Sequence, residues 1–185
     1  QADLAGVGAA DAAGDGGREL SQEEYDWAND MVFAGALPPR DSLYVTNYTG
    51  IGGRPFTFPT DGGPTLLNLG PALYADPRNS GGETFVHELT HACQIAHRAD
   101  VLFIATAMIT QAANSLGSDV YDYEPAGFDY TSQGLEAQAQ IVEDWYRGTP
   151  TQAHHPEDRG FTGIPRDPQS PYYRYLTDNV RLGRF

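Results

Sequence analysis

Residues 84–97 read Thr-Phe-Val-His-Glu-Leu-Thr-His-Ala-Cys-Gln-Ile-Ala-His, a helical pattern that contains the pentapeptide HExxH at 87–91. On an α-helix, residues four positions apart lie about 40° apart around the axis and about 6 Å apart along it. The imidazoles of His87 and His91 can therefore bind one metal ion. Glu88 is rotated by about 100° from His87, so it can reach a water on the metal but not the metal itself.

The same stretch predicts a helix with one buried face. At about 100° per residue its apolar side chains form one continuous arc, which contains Phe85, Val86, Leu89, Ala92, Cys93 and Ala96. His87 and His91 lie on the opposite side, beside Thr84 and Gln94. We expect the helix to pack its apolar face into the core and to present both imidazoles to a cleft. The competing interpretation, two surface histidines spaced by chance, predicts no stoichiometric zinc.

A catalytic zinc site usually has three protein ligands and a water, so a third ligand must be found. His97 extends the motif to HExxHxxQxxH, but Gln94 stands where the metzincin pattern has glycine. If the helix simply continues, His97 points about 120° or more away from the two imidazoles. His97 remains one candidate on the sequence alone.

Glu136 is the other candidate for the third ligand. Residues 134–146 form a helical pattern in which a polar seam runs between two apolar stripes, as in a helix buried on both flanks that lines a polar site. The seam contains Glu136, Gln140, Glu143 and Arg147. We predict that Glu136 completes a zinc site with two histidines, and that Glu143, on the same side, is a hydrogen-bond partner for one of the imidazoles.

Together these two helical segments resemble the gluzincin branch of the zincin metallopeptidases. More closely, residues 20–148 are similar to small bacterial metallopeptidase-like proteins, some described as Vgr-related or associated with contractile injection systems. The resemblance implies a minimal zincin fold and a zinc site, whereas the substrates of that group are unassigned. The chain departs from thermolysin-like enzymes at Gln140, where an aspartate is expected four residues after the ligand glutamate.

The rest of the chain predicts an α+β fold. Ser21 and Glu24 have the capping-box spacing, so a helix should run to about Phe33. Three short strands are predicted at 43–48, 55–58 and 65–69, forming a small, mainly antiparallel sheet that packs on several helices. We expect Thr65 to Leu69 to be the edge strand that pairs with substrate. A buried helix is predicted at 101–113, an acidic loop at 114–133 and a last helix from 171.

We divide the chain into a Gly/Ala/Asp-rich extension, 1–19, and a single metallopeptidase-like domain, 20–185. The 25 acidic and 11 basic residues give a net charge of -14, which argues against nucleic acid and anionic membranes as partners. The single cysteine, Cys93, excludes a disulfide framework. No signal peptide is visible, so we expect a soluble protein that is cytoplasmic or exported without one, with Gln1 as a processing boundary.

The functional hypothesis is a zinc-dependent hydrolase, in the first place a peptidase that acts on a peptide or protein. Zinc would be held by His87, His91 and Glu136, with Glu88 as the general base. The alternative is a catalytically silent zincin-fold module of a bacterial secretion or phage-tail-like assembly, in which zinc only stabilises the fold. Tyr172, Tyr173 and His155 are all possible oxyanion-stabilising groups, and the sequence does not distinguish between them.

Overall fold

A computed structural model of the protein describes residues 16–98, 119–151, 155 and 159–185, and it confirms the α+β fold class. The five α-helices in these residues are α1 (Gln22–Ala28), α2 (Pro71–Tyr74), α3 (Pro77–His97), α4 (Leu135–Arg147) and α5 (Tyr173–Asp178). The four strands are β1 (Gly17–Glu19), β2 (Leu43–Thr46), β3 (Phe56–Pro59) and β4 (Thr65–Asn68). Short 3-10 turns occupy Arg40–Ser42, Ile51–Gly53, Asp119–Tyr121, Tyr130–Ser132 and Val180–Leu182.

The four strands form one mixed sheet in the order β1-β2-β4-β3. β1 pairs with β2 and β3 pairs with β4 in antiparallel fashion, while β2 and β4 are parallel. All three predicted strands are present within a few residues of their expected bounds. The fourth strand, β1, was not predicted because Gly17–Glu19 has no apolar alternation that would mark a strand.

The edge-strand prediction for Thr65 to Leu69 is wrong. β4 lies in the interior of the sheet, between β2 and β3, and β3 is the strand at the edge. The reason is the parallel pairing of β2 with β4, which places the antiparallel strand β3 on the outer side of β4. Spatial strand order of this kind depends on long-range pairing, which the position of a strand along the chain does not reveal.

The helix that carries the HExxH motif is α3, and its apolar arc is buried as predicted, except at its C-terminal end. Asp76 caps the helix by accepting a hydrogen bond from the Asn79 backbone N–H. Phe85, Val86, Leu89, Ala92 and Cys93 are fully buried, and the ring of Trp27 stacks on Phe85. Ala96 is exposed and Ile95 is buried instead, because the last turn of α3 leaves the core.

The predicted helices near both ends of the described chain are present. Ser21 and Glu24 form the capping box, and α1 continues as one π-helical turn over Asn29–Phe33. The last helix appears as α5. The predicted buried helix at 101–113 lies outside the described residues, as does most of the 1–19 extension. In the part of the chain that the structure describes, no helix is long and apolar enough to cross a membrane.

Candidate metal centre

Three side chains from α3 and α4 converge at one point in the interior. His87 and His91 lie one turn apart on α3, and Glu136 lies in the first turn of α4, which packs against α3. The two imidazole Nε2 atoms are 3.1 Å apart, and each is 3.3 Å from Oε2 of Glu136. All three residues are buried. This group could hold a metal ion, and the predicted proximity of Glu136 to the two histidines is found.

Each imidazole has an oxygen atom beside its other nitrogen. Nδ1 of His91 donates to Oε1 of Gln94 at 2.7 Å, and Nδ1 of His87 is 2.8 Å from Oε2 of Glu143. A neutral imidazole protonated on Nδ1 has a lone pair on Nε2. Two imidazole nitrogens and a carboxylate oxygen therefore face one another across about 3 Å, and a metal ion or a proton between them would satisfy all three atoms.

Gln94 connects the two helices that carry the group. Its Nε2 donates to the backbone carbonyl of Leu135 and to Oε1 of Gln138, both at 3.0 Å. These two acceptors define the orientation of the amide, so that Oε1 faces His91. Gln94 thus holds the His91 ring in place and ties α3 to the first turn of α4, where Glu136 lies.

Glu143 lies on the side of His87 opposite to Glu136, so the predicted proximity is found, although the angle between the 2.8 Å pair is not that of a hydrogen bond. Arg147 binds the other oxygen of Glu143 at 2.5 Å, so the carboxylate is held from both ends. Burial disfavours a charged His87, but the neighbouring carboxylates of Glu136 and Glu143 outweigh this effect and raise the pKa of His87 well above its usual value. The same carboxylates would favour any other positive charge at this position.

Glu88 points towards the sheet, where Thr57 of β3 contacts it. Thr57 Oγ1 lies 2.7 Å from Oε2 of Glu88 and 3.0 Å from the Glu88 backbone carbonyl. Burial raises the pKa of Glu88, and the nearby imidazoles and Thr57 partly offset this rise. A carboxylate with a raised pKa accepts and returns a proton more easily near neutral pH, which suits a general acid and base.

The other candidates from the sequence lie elsewhere. Nε2 of His97 donates to the Ala36 carbonyl at 2.8 Å, and its ring stacks on Phe185, so His97 faces away from the group. Tyr172 stacks on Phe161 and Tyr173 on Trp145. His155 is fully buried, with Nδ1 3.2 Å from Asp122. Cys93 is buried among apolar side chains, and burial raises the pKa of its thiol.

Tyr121 is a residue that the sequence analysis did not single out. Its ring lies 6.2 Å from that of His87, and its backbone carbonyl accepts from Nε2 of His155 at 3.3 Å. Burial and the Glu136 carboxylate raise the pKa of the Tyr121 hydroxyl, so that it remains a proton donor. The acidic segment that contains Tyr121 has no periodicity, so nothing local separates this tyrosine from the ten others.

No family model, no curated protein and no solved structure matches this chain, so the site rests on its own geometry.

Proposed function

We propose that the protein is a zinc-dependent peptidase, in which His87, His91 and Glu136 bind zinc and Glu88 is the general base. The main support for this proposal is the buried group of three metal-binding atoms, of His87, His91 and Glu136. Glu88, the residue that follows His87, adds a carboxylate that accepts a hydrogen bond from Thr57. An oxygen atom lies beside each Nδ1, of Gln94 for His91 and of Glu143 for His87, and this favours metal binding through the two Nε2 atoms.

The types of ligand atom support zinc, since two imidazoles and a carboxylate on an HExxH helix are a common zinc-binding set. Ligands at about 2.0–2.2 Å from zinc and at tetrahedral angles are separated by about 3.3–3.5 Å. Octahedral iron, which two histidines and a carboxylate also bind, requires right angles and hence separations of about 2.9–3.1 Å. The two observed separations of 3.3 Å from Glu136 match the tetrahedral set, and the 3.1 Å between the two imidazole nitrogens matches the octahedral one. Magnesium and calcium are disfavoured because they prefer oxygen ligands.

The metal ion and each of the side chains around it would have a separate role in peptide hydrolysis. Zinc bound there would lower the pKa of a coordinated water to about 7 and polarise the carbonyl of the scissile bond. Glu88 would take the proton of the attacking water and pass it to the departing amine. Thr57 would hold the Glu88 carboxylate towards the cleft, and Gln94 and Glu143 would hold the two imidazoles.

β3 is the strand that would align the peptide. It lies at the edge of the sheet, and Thr57 on this strand contacts Glu88. An edge strand has unpaired backbone donors and acceptors, which an extended peptide can use as an additional strand. A substrate bound there would run past the metal group, so the sheet and α3 together supply both the backbone contacts and the reacting groups.

The decisive experiment combines metal analysis with hydrolysis of a general peptide library. Glu88→Gln should retain one zinc per chain and lower turnover by about a hundredfold or more, because only the proton acceptor is lost. Glu83→Gln, the same change on the same helix outside the group, should behave like the wild type. Hydrolysis that persists in Glu88→Gln would disprove the role of Glu88. Zinc that stabilises the fold without any hydrolysis would identify a catalytically silent module instead.

A further inference from the structure

Every second residue of β3 has its backbone groups directed away from the sheet. The Thr60 N–H donates to the Pro64 carbonyl at 3.3 Å, so these two residues form a hydrogen-bonded pair at the end of the β3–β4 ladder. In an antiparallel ladder, such pairs alternate with pairs that exchange no backbone bonds. Phe56 and Phe58 therefore bond to β4, in agreement with the 3.2 Å hydrogen bond from the Asn68 side chain to the Phe56 carbonyl. The residues between them face outwards.

The outward-facing residues are Pro55, Thr57 and Pro59. A proline has no N–H, so this side of the strand presents three carbonyl oxygens and a single donor, the Thr57 N–H. In the part of the chain that the structure describes, none of these groups has a hydrogen-bond partner. Proline is tolerated in sheets at such outward positions of edge strands, because no ladder bond is lost there. The outer side of β3 is thus mainly a row of acceptors.

The single donor of this row lies beside the candidate general base. Thr57 Oγ1 is 2.7 Å from Oε2 of Glu88, so the Thr57 side chain faces α3 and the residue is only 4% exposed. Pro55 and Pro59 are partly exposed, so the strand can be reached on both sides of Thr57. A chain paired with β3 would therefore pass the Glu88 carboxylate where it bonds to Thr57.

We propose that β3 binds the substrate through three alternate backbone N–H groups of an extended peptide, which donate to the carbonyls of Pro55, Thr57 and Pro59, while one peptide carbonyl accepts from the Thr57 N–H. This inference rests on the proposed peptidase function. The pattern holds for a parallel and for an antiparallel peptide, since every second residue of β3 faces outwards in either case. The substrate must then have an N–H at each of three alternate positions, which excludes proline there.

The same pattern favours a peptide over a second copy of this chain. If two β3 strands paired in antiparallel fashion about Thr57, Pro55 of one copy would lie opposite Pro59 of the other. Neither proline has a donor, so only the two Thr57 residues could exchange hydrogen bonds. A peptide without proline can also donate to both proline carbonyls. Proline on an edge strand is a common protection against such self-association.

The test removes one peptide N–H at a time. The best-cleaved decapeptide of the general library is made in variants that carry a single N-methyl group at successive positions on either side of the cleaved bond. Cleavage is measured with the wild type, and binding with zinc-loaded Glu88→Gln protein, so that the affinity does not depend on hydrolysis. If no peptide is cleaved, the peptide that immobilised Glu88→Gln protein retains most strongly takes its place.

We expect the effect of N-methylation to alternate along the peptide. At each of three alternate positions it should lower the affinity by about two- to tenfold or more, because a backbone hydrogen bond is lost. At the positions between them the N–H groups point away from β3, and N-methylation should change the affinity by less than about twofold.

Two variants, Pro55→Ala and Pro59→Ala, test the strand side. Each adds an N–H that faces the peptide, so the unmodified peptide should bind about two to ten times more tightly. Pro64→Ala is the matched control, since it adds an N–H on the inner side of the hairpin, opposite Thr60, and should leave the affinity unchanged. Tighter binding in neither Pro55→Ala nor Pro59→Ala would show that the peptide does not run along β3.

The outcomes separate this inference from the proposed function. Hydrolysis in which the effect of N-methylation does not alternate overturns the inference and leaves the peptidase function intact. Alternation in binding without hydrolysis supports recognition by β3 and contradicts the peptidase function. If no peptide of the library is cleaved or retained, both are contradicted.

Discussion

Oε2 of Glu143 lies 2.8 Å from Nδ1 of His87, on the side of the ring opposite to Glu136. Glu136 and Glu143 are seven residues apart on α4, so they lie nearly in line along one face. One face of α4 thus provides a partner for each nitrogen of the same imidazole. The sequence predicted that Glu143 lies beside an imidazole, and this position accounts for a second, half-buried carboxylate close to Glu136.

Removal of Glu143 should weaken metal binding. Glu143→Ala removes the carboxylate that lies 2.8 Å from Nδ1 of His87, so the ring loses both a neighbour that limits its orientation and a negative charge that raises its basicity. We expect the zinc affinity to fall by about 10- to 100-fold, measured by competition with a chromophoric chelator. Glu124→Ala, which removes an exposed acidic side chain from the preceding loop, should keep the wild-type affinity. An unchanged affinity in Glu143→Ala would show that His87 is positioned without it.

Glu136 and His97 can be distinguished as third ligands by zinc stoichiometry. Glu136→Ala removes one of three converging atoms and should reduce bound zinc well below one per chain after dialysis. His97→Ala should retain one zinc per chain, because its Nε2 is bonded to the Ala36 carbonyl. Elemental analysis of both purified variants shows which of the two residues is needed to retain zinc. Loss of zinc in His97→Ala alone would reverse the assignment.

The ion pair of Glu24 with Arg18 should make stability depend on acid pH. Arg18 binds both oxygens of Glu24, at 2.7 and 2.8 Å, and the Ser21 backbone N–H donates to the same carboxylate. Burial raises the pKa of Glu24, but these donors outweigh it and the pKa is lowered overall. The folded state therefore binds this proton less readily than the unfolded state, whose pKa is about 4.3. The resulting stability is present above that value and is lost as the pH falls through the folded pKa.

Urea unfolding of metal-free protein at pH 7 and near pH 3 tests this dependence. At pH 7, Glu24→Gln should be less stable than the wild type by about 1–3 kcal/mol, because charged hydrogen bonds of a buried group are lost. Near pH 3 the difference should shrink, since the carboxyl of the unfolded chain is then largely protonated and folding must release or retain that proton at a cost. Glu23→Gln, on an exposed side chain, should change stability by less than about 0.5 kcal/mol at either pH. An equal difference at both pH values would show that the charge of Glu24 is unimportant.

The helical repeat of the sequence was sufficient to predict features that lie within a single segment. The spacing of His87 and His91, the buried arc from Phe85 to Cys93 and the Ser21 capping box all follow from the geometry of one helix, which repeats every 3.6 residues. The polar seam of 135–147 also predicted Glu136 and Glu143 on one face. These predictions needed no knowledge of neighbouring elements.

Only the tertiary structure decided how separate segments meet. The parallel pairing of β2 with β4 makes β3 the edge strand, and Thr57 on β3 contacts Glu88. Gln94 forms hydrogen bonds to α4, and His97 forms one to the carbonyl of Ala36. The physical reason is that a helical or extended repeat specifies directions within one element. The distance between two elements depends instead on packing and strand pairing between residues that are far apart in the chain.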